Sequence, residues 1–484
     1  MSNLTLPDDL ILRPLKEAEK QGHAFLHLHE LLAALSQNPQ LDEEDQRRLL
    51  DQAIRSGAVI LEGDRVYLEQ IKRAEDNVVD FLLNGTWTSP VMLRSYPQGL
   101  NPEQLAAIQT ALTHRLSIIT GGAGTGKSHL IGSLLSAFGD PQSCLLCAPT
   151  GKAAKVLSES TGYHAQTIHR TLGLYRDQDL TRPARDLSSY RLIVVDEASM
   201  LTLPMAAGIF NAVGPDCKVV LVGDCNQLPP VGSGMLFSEL MDLGIPTARL
   251  RRVYRQSDQA SSLFQNVTRF SEVHSVYDLQ FDRSFQLIQA KNEDIPSLTT
   301  EIFSQHIKNS EAVVLSPFRE YSNLSVHSLN SSLQSALLLP GTPCLSGDKD
   351  TFYQHDRVMF TRNNRLAGYV NGETGRLTLQ DSGTWAVQSG KSIPVTTQTL
   401  DHLALSYAMT IHKSQGSAFD TVILPISTDM TFLLTRNLIY TAITRARKQV
   451  VLIGDPNTIS HGLSNPVQKR NSFLTARLLR LPAA

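Results

Sequence analysis

The chain has 484 residues, 44 Lys and Arg against 46 Asp and Glu, 42% hydrophobic residues and five cysteines. That composition excludes a disordered chain, a collagen-like repeat and a disulfide scaffold, and the length points to two to four cores rather than one. No basic start followed by an apolar block marks a secretory leader, and no apolar run approaches the ~18 residues of a membrane-spanning helix. Scattered cysteines fit a reducing compartment, so a cytoplasmic protein with no membrane partner is expected. Residues 1–99 carry 10 basic and 16 acidic side chains, a net of −6, and the rest 34 and 30, a net of +4. This first segment is therefore a poor surface for a phosphate backbone.

Up to Gly99 the pattern is of short amphipathic helices, 29–35 and 74–83 among them, with 57–68 alternating like a hairpin about Glu62-Gly63-Asp64. Ser95-Tyr-Pro-Gln-Gly99 reads as a linker. Beyond it, apolar runs at 116–120, 144–148, 191–195, 218–222, 312–315, 421–424 and 449–453 alternate with helix-like stretches. Near-continuous apolar strands separated by helices predict parallel sheets covered on both faces. A gap of roughly ninety residues separates the fourth run from the fifth, which predicts two α/β domains. Gly, Asp, Ser and Thr rise between 345 and 401, where short alternating stretches predict a small β insertion.

The strongest local signal is Gly121-Gly122-Ala123-Gly124-Thr125-Gly126-Lys127-Ser128, set between a strand-like 116–120 and a helix-like 129–138. Glycines let backbone amides curl around phosphate oxygens, and the next helix presents its positive end to them. Lys127 would reach the β- and γ-phosphates of ATP, and the Ser128 hydroxyl would sit on Mg²⁺. A phosphate loop needs a carboxylate for the metal, and Leu192-Ile-Val-Val-Asp196-Glu197 supplies one at a strand end. Asp196 would bind Mg²⁺ through water and Glu197 would polarise the attacking water. A further strand ends in Gly223-Asp224-Cys-Asn-Gln227, where an amide can sense the γ-phosphate.

Read in order, GGAGTGKS, APTGKAA, QTIHRTLG, VVDEASM, VGDCNQLPPVGSG, YRQ, IHKSQGSAFDTVILP and YTAITRAR resemble a superfamily 1 DNA helicase. More narrowly, the set is similar to the RecD type, the α-subunit of exodeoxyribonuclease V (RecBCD). The resemblance runs from about residue 100 to 455. It implies an α/β fold of two tandem RecA-like P-loop motor domains, 100–260 and 261–484, with a helical N-terminal domain, 1–99. A small β-rich, SH3-like insertion at about 345–400 would interrupt the second motor. ATP and Mg²⁺ are the implied cofactors.

Gln104 matches the position whose amide recognises adenine; a solvated polar residue on a first helical turn is the plainer alternative. Arg255 and Arg445 match the two arginines that reach the γ-phosphate, a role suited to guanidinium. Pro149, Thr150 and Lys152, then Thr167 and His169, fall in two DNA-contacting motifs of the first motor. Thr410, His412, Lys413, Gln415 and Ser417 fall in that of the second. Hydroxyls, an amide and a few cations suit sequence-independent contacts to phosphate and sugar. The two histidines rest on motif context alone.

The implied activity is ATP-dependent 5′→3′ translocation on single-stranded DNA, starting from duplex ends, in a heterotrimer with RecB-like and RecC-like subunits. Any exonuclease activity would belong to that complex. Gly22-His23-Ala-Phe-Leu26, Val66-Tyr67-Leu68 and the tail at 468–477 resemble segments of that subunit, and the long N-terminal extension of stand-alone RecD-like helicases is not matched. A stand-alone helicase shares all the chemistry, however, and a structural subunit with a decayed motor is opposed by Lys127, Asp196, Glu197, Gln227, Arg255 and Arg445. Residues 1–99 are expected to show a spare apolar or charged face that docks on a RecC-like partner. Cys144 and Cys147 have C-x-x-C spacing, but on a strand residues three apart face opposite ways, so neither zinc nor an iron–sulfur cluster is expected.

Overall fold

The computed structural model of the protein describes residues 7–85, 98–175, 178–254, 260–307, 310–320, 322–347 and 350–479. Arg255 and positions 95–97 of the expected linker lie outside these residues. The N-terminal unit comprises α1 (Pro7–Lys20), β1 (Leu26–His27), α2 (Leu28–Leu35), α3 (Glu43–Arg55), β2 (Val59–Glu62), β3 (Arg65–Leu68) and α4 (Glu69–Leu83). The expected hairpin is β2–β3, and the three strands pair antiparallel in the order β1-β3-β2. Part of this unit's negative charge is local capping. Asp42 accepts from Asp45 N at 2.8 Å, and Glu43, Glu44 and Asp45 fill the first turn of α3, at its positive end.

The first α/β unit contains α5 (Pro102–Thr113), β4 (Leu116–Gly121), α6 (Lys127–Phe138), β5 (Cys144–Ala148), α7 (Gly151–Thr161), β6 (Ala165–Thr167), α8 (Ile168–Thr171), β7 (Leu192–Val195), α9 (Leu203–Ala212), β8 (Lys218–Gly223), α10 (Leu236–Asp242) and β9 (Thr247–Leu250). Its strands form one parallel sheet of order β6-β5-β7-β8-β4-β9. Both faces are buried, which is why the central strands are apolar throughout. Ile118, Cys147, Val195 and Leu221 enter one core, and their neighbours Ile119, Leu146, Val194 and Val220 enter the other. Cys144 and Cys147 therefore face opposite sides of the sheet, and burial pushes both thiols up to about 12.

The second α/β unit starts with α11 (Ser262–Thr268), β10 (Phe285–Gln289), α12 (Ile295–His306), β11 (Ala312–Ser316) and α13 (Val326–Leu337). An insertion follows, made of β12 (Cys344–Ser346), β13 (Thr351–Tyr353), β14 (Arg357–Phe360), β15 (Thr374–Leu379), β16 (Trp385–Gln388), β17 (Ser392–Pro394), α14 (Thr397–Asp401) and β18 (Leu403–Leu405). The unit closes with β19 (Ala408–Thr410), β20 (Phe419–Ile426), α15 (Arg436–Ile443), β21 (Ala446–Gly454) and α16 (Pro456–Ser464). Its own sheet is parallel, in the order β10-β21-β20-β11-β19. The insertion is an antiparallel sheet of order β17-β16-β15-β14-β18 with the hairpin β12–β13 beside it.

Among the described residues of 1–99 the expected spare apolar face is taken up by the chain itself, while α3 presents a charged one through Glu43, Glu44, Arg47 and Arg48. α4 packs along α9, with the rings of Phe81 and Phe210 stacked at 4.2 Å, and the N-terminal unit shares one continuous core with that side of the first sheet. Arg73 adds an ion pair to Asp179. The amphipathic helices need an apolar partner, and this chain supplies it. Among the described residues of the unit, only Leu61 and Leu83 are large hydrophobics left exposed.

The tail completes the enclosure. After α16 the chain crosses back to the N-terminal unit and ends in α17 (Leu474–Leu479). Arg470 donates to Gly232 O at 3.1 Å and Gly234 O at 2.9 Å, and its side chain fills the space where any residue but glycine at position 22 would clash. Asn471 exchanges backbone and side-chain bonds with His23, Ala24 and Phe25. Arg65 lies over the Phe473 ring, Leu474 is fully buried, and Arg477 bonds Asp76 at 2.5 Å. Among the described residues no helix is long and apolar enough to cross a membrane.

Candidate nucleotide site and inter-unit cleft

Adjacent strands β4, β8 and β7 end side by side, so the loops that follow them converge at one sheet edge. The loop after β4, Gly121 to Ser128, turns through Gly124 and Gly126, whose positive φ values of 79° and 82° suit residues without a Cβ. Lys127 Nζ donates to Gly121 O at 2.7 Å and Gly122 O at 3.0 Å, while Thr125 Oγ1 donates to Gly122 O at 2.9 Å. Ser128 follows on the first turn of α6.

After β7, Asp196 is half-buried, and desolvation together with Glu197 pushes its carboxyl up to about 7 while Lys127 pulls the other way. Glu197 has φ 52°, an uncommon left-handed conformation for a glutamate. Among the described residues its Oε2 is buried with no hydrogen-bond partner, and so is Gln227 Oε1 after β8. Buried acceptors without a partner are costly unless a ligand satisfies them. An oxygen donor set of Ser128 and Asp196 fits a hard cation such as Mg²⁺, and these two residues would hold it.

Gln104 is buried rather than solvated: its Oε1 accepts from Asn101 N at 3.1 Å while its own N–H donates to Asn101 Oδ1 at 2.9 Å, a capping box at the start of α5. Its amide nitrogen lies close against Gly126. Tyr254, overlooked in the sequence, borders the same space. Its N–H donates to Gly124 O at 2.7 Å, its hydroxyl meets Asn101 Nδ2, and its half-exposed ring offers a flat apolar face beside Gly126. The preceding strand–loop passage, Leu250 to Tyr254, was the available signal.

The second unit reaches this site through α15. Tyr440 donates to Asp224 Oδ2 at 3.0 Å and its hydroxyl lies against Gly122. Asn437 Nδ2 donates to Gln227 O at 2.9 Å, and Leu228 N donates to Thr441 Oγ1 at 2.9 Å. Arg445 is buried and, among the described residues, donates to neutral oxygens: Thr441 O at 3.0 Å, Thr444 Oγ1 at 3.2 Å and Ser417 O at 3.4 Å. Tyr440 and Thr441 were not singled out in the sequence, although they stand in the same YTAITRAR segment.

Several of the residues assigned by resemblance to DNA contacts lie on loops that meet where the second unit touches the start of α7. Thr150 caps α7 and Thr167 caps α8, at neighbouring strand ends that pair Ala148 with Thr167. His169 lies in the α8 turn and Pro149 just ahead of α7. Thr410 accepts from Lys413 N at 3.2 Å, His412 and Lys413 are exposed, and Gln415 is buried with its Nε2 unpartnered among the described residues. Gly416 lies against Ala153, which brings the loop holding Gln415 and Ser417 onto the start of α7. Lys152 is on the same first turn of α7 but is half-buried. The insertion covers it beside Gly372, burial pulls it down to about 8, and neighbouring Lys155 pairs with Glu373 at 2.8 Å.

A family model described as an AAA domain matches residues 99–281, and one described as a UvrD-like helicase C-terminal domain matches 405–453. The chain is 31% identical to the "ATP-dependent RecD2 DNA helicase" of Deinococcus radiodurans over 90% of its own length and 61% of that protein, so it spans about three fifths of that relative. It is 30% identical to the "RecBCD enzyme subunit RecD" of Mycobacterium tuberculosis, over 81% of its own length and 77% of that protein. A crystal structure of Bacteroides Pif1 bound to ssDNA aligns with TM-score 0.47 and 19% identity, covering 74% of this chain and 92% of that one. With a phosphate loop, paired acids and a second unit closing on them, and with that identity over most of both chains, the protein belongs to the RecD family of ATP-dependent DNA helicases.

Proposed function

We propose that residues 100–260 and 261–484 act as two motor domains that hydrolyse ATP between them, move 5′→3′ along single-stranded DNA, and serve as the RecD subunit of a RecBCD-type complex in double-strand break repair. One observation carries the catalytic reading: three loops bearing Lys127, Asp196–Glu197 and Gln227 meet at a single sheet edge facing α15. Lys127 exchanges its glycine carbonyls for the β- and γ-phosphates. Ser128 and Asp196 would hold Mg²⁺, which would neutralise phosphate charge when bound. Glu197 orients and deprotonates the attacking water, and the adenine packs between Gln104 and Tyr254. Arg255 and Arg445 complete the charge around the γ-phosphate.

The same contacts offer a route from ATP to DNA. Gln227 and Leu228 are bonded to Asn437 and Thr441 of α15, and Arg445 ties that helix to Ser417 O. Loss of the γ-phosphate at Gln227 therefore displaces the loop bearing Gln415 and Ser417, next to Thr150 at the head of α7. Two grips that alternate in strength turn closure into steps.

Glu197→Gln is expected to keep nucleotide affinity and slow hydrolysis at least about a hundredfold, in the range of a lost general base. Loss of ATP binding in that variant overturns the division of labour between Asp196 and Glu197. Polarity is tested with fluorescent partial duplexes: those with 5′ tails are unwound, and unwinding confined to 3′ tails refutes the direction. A stand-alone helicase is the second reading, favoured by the N-terminal face being covered by the chain itself. Purification of the native chain decides between the two: RecB-like and RecC-like partners accompany a subunit, and none accompany a solitary motor.

A further inference from the structure

Strands β11 and β19 run parallel with Ser316 opposite Thr410, and Ile411 N donates to Ser316 O at 3.1 Å. The loops leaving them, Pro317-Phe318-Arg319 and His412-Lys413, start side by side from these paired ends. Phe318 is half-buried on the core of the second unit, and its ring centroid lies 5.9 Å from that of Phe432, tilted by 43°. Phe432 is 73% exposed. It is nevertheless on a braced loop: Met430 is fully buried, Asn292 bonds Thr428, and Ser322 Oγ donates to Asp429 at 3.2 Å. A large ring held out in water on a fixed loop gains nothing for the fold.

The charges beside the rings favour one kind of occupant. Lys413 and Arg319 are exposed, desolvation and then the nearby Arg319 disfavour the charged form of Lys413, and among the described residues Lys413 makes no ion pair. The nearby carboxylates are engaged, Glu320 with Arg319 at 3.6 Å and Asp429 with the hydroxyls of Ser322 and Ser427. Cations at the edge of a paired aromatic surface match the alternation of phosphate and base in a single strand. Every base has a π-face, so such a contact tolerates any sequence.

We propose that Phe318 and Phe432 form a stacking platform for one base of single-stranded DNA on the second motor, with Arg319 and Lys413 on the flanking phosphates. The proposal rests on the reading that Thr410 to Ser417 contact DNA. Phe432→Ala is expected to weaken binding of a fluorescein-labelled oligo-dT about tenfold, within the range for one lost base–aromatic stack. It should also abolish the quenching of a 2-aminopurine placed in the strand. Phe432→Tyr keeps both, and the melting midpoint of Phe432→Ala matches wild type because the ring is exposed. Unchanged affinity and quenching in Phe432→Ala overturn the platform. Lys413→Ala and Thr410→Ala separate the two failures: if they weaken binding, only the platform is lost, and if they too are silent, the DNA assignment of the whole loop falls with it.

Discussion

Lys127→Gln is expected to cut ATP turnover by more than a hundredfold and to leave the fold intact. The side chain's bonds are to two glycine carbonyls of a turn, Gly121 O at 2.7 Å and Gly122 O at 3.0 Å, so its loss removes no packed apolar surface. What it removes is a cation that favours ionisation of Asp196 against desolvation and the neighbouring Glu197. Without it the Asp196 carboxyl is pushed further toward its neutral form, and the phosphates enter a loop with less positive charge to receive them. A coupled ATPase assay with saturating DNA, set beside a thermal melt, measures both halves of the expectation. Turnover above about a tenth of wild type refutes the role of Lys127.

Deleting residues 1–99 is expected to leave an insoluble or aggregating motor rather than an active one deprived of a partner. Ile71, Val78, Phe81 and Leu82 of α4 are buried, and Phe210 on α9 stacks on Phe81. Each fully buried side chain of this size contributes about 1.5–3 kcal/mol, so their shared core approaches the whole stability of a typical domain. The tail loses its seat as well, since Asn471, Phe473 and Arg477 are held by residues of the N-terminal unit. Soluble yield and melting midpoint of the truncated chain check this. A soluble truncated monomer with a native midpoint and DNA-stimulated ATPase would show that the α4–α9 contact is dispensable.

Central strands and edge strands divide what the sequence revealed. The seven apolar runs became β4, β5, β7, β8, β11, β20 and β21, all interior to their sheets. Those missed, β6, β9, β10 and β19, are the four edges, and their sequences mix polar residues such as Gln166, Arg249 and Gln286 with apolar ones. A strand buried on both faces must be apolar, whereas an edge strand has no such constraint. The phosphate loop was readable because glycines at fixed spacing have few other uses. Tyr254 and Tyr440 were not, because a tyrosine says nothing of which cleft it will border. The docking of α4 was hidden for a similar reason: an amphipathic helix announces that it will be covered, not by what.

The tail gives the second α/β unit an unusual topology. The chain leaves the first unit after β9 and returns after α16 to be fastened by Arg470 and Asn471, so the second unit is an excursion anchored at both ends. A body attached at one point can swing in any direction, but a body attached at two turns about the line between them. Two such anchors would confine any closure of the second unit toward rotation about the line between them. The second attachment is also placed where it matters: Arg470 grips the carbonyls of Gly232 and Gly234, on the same loop as Gln227. A door hung on two pins, one of them set beside the latch, swings true.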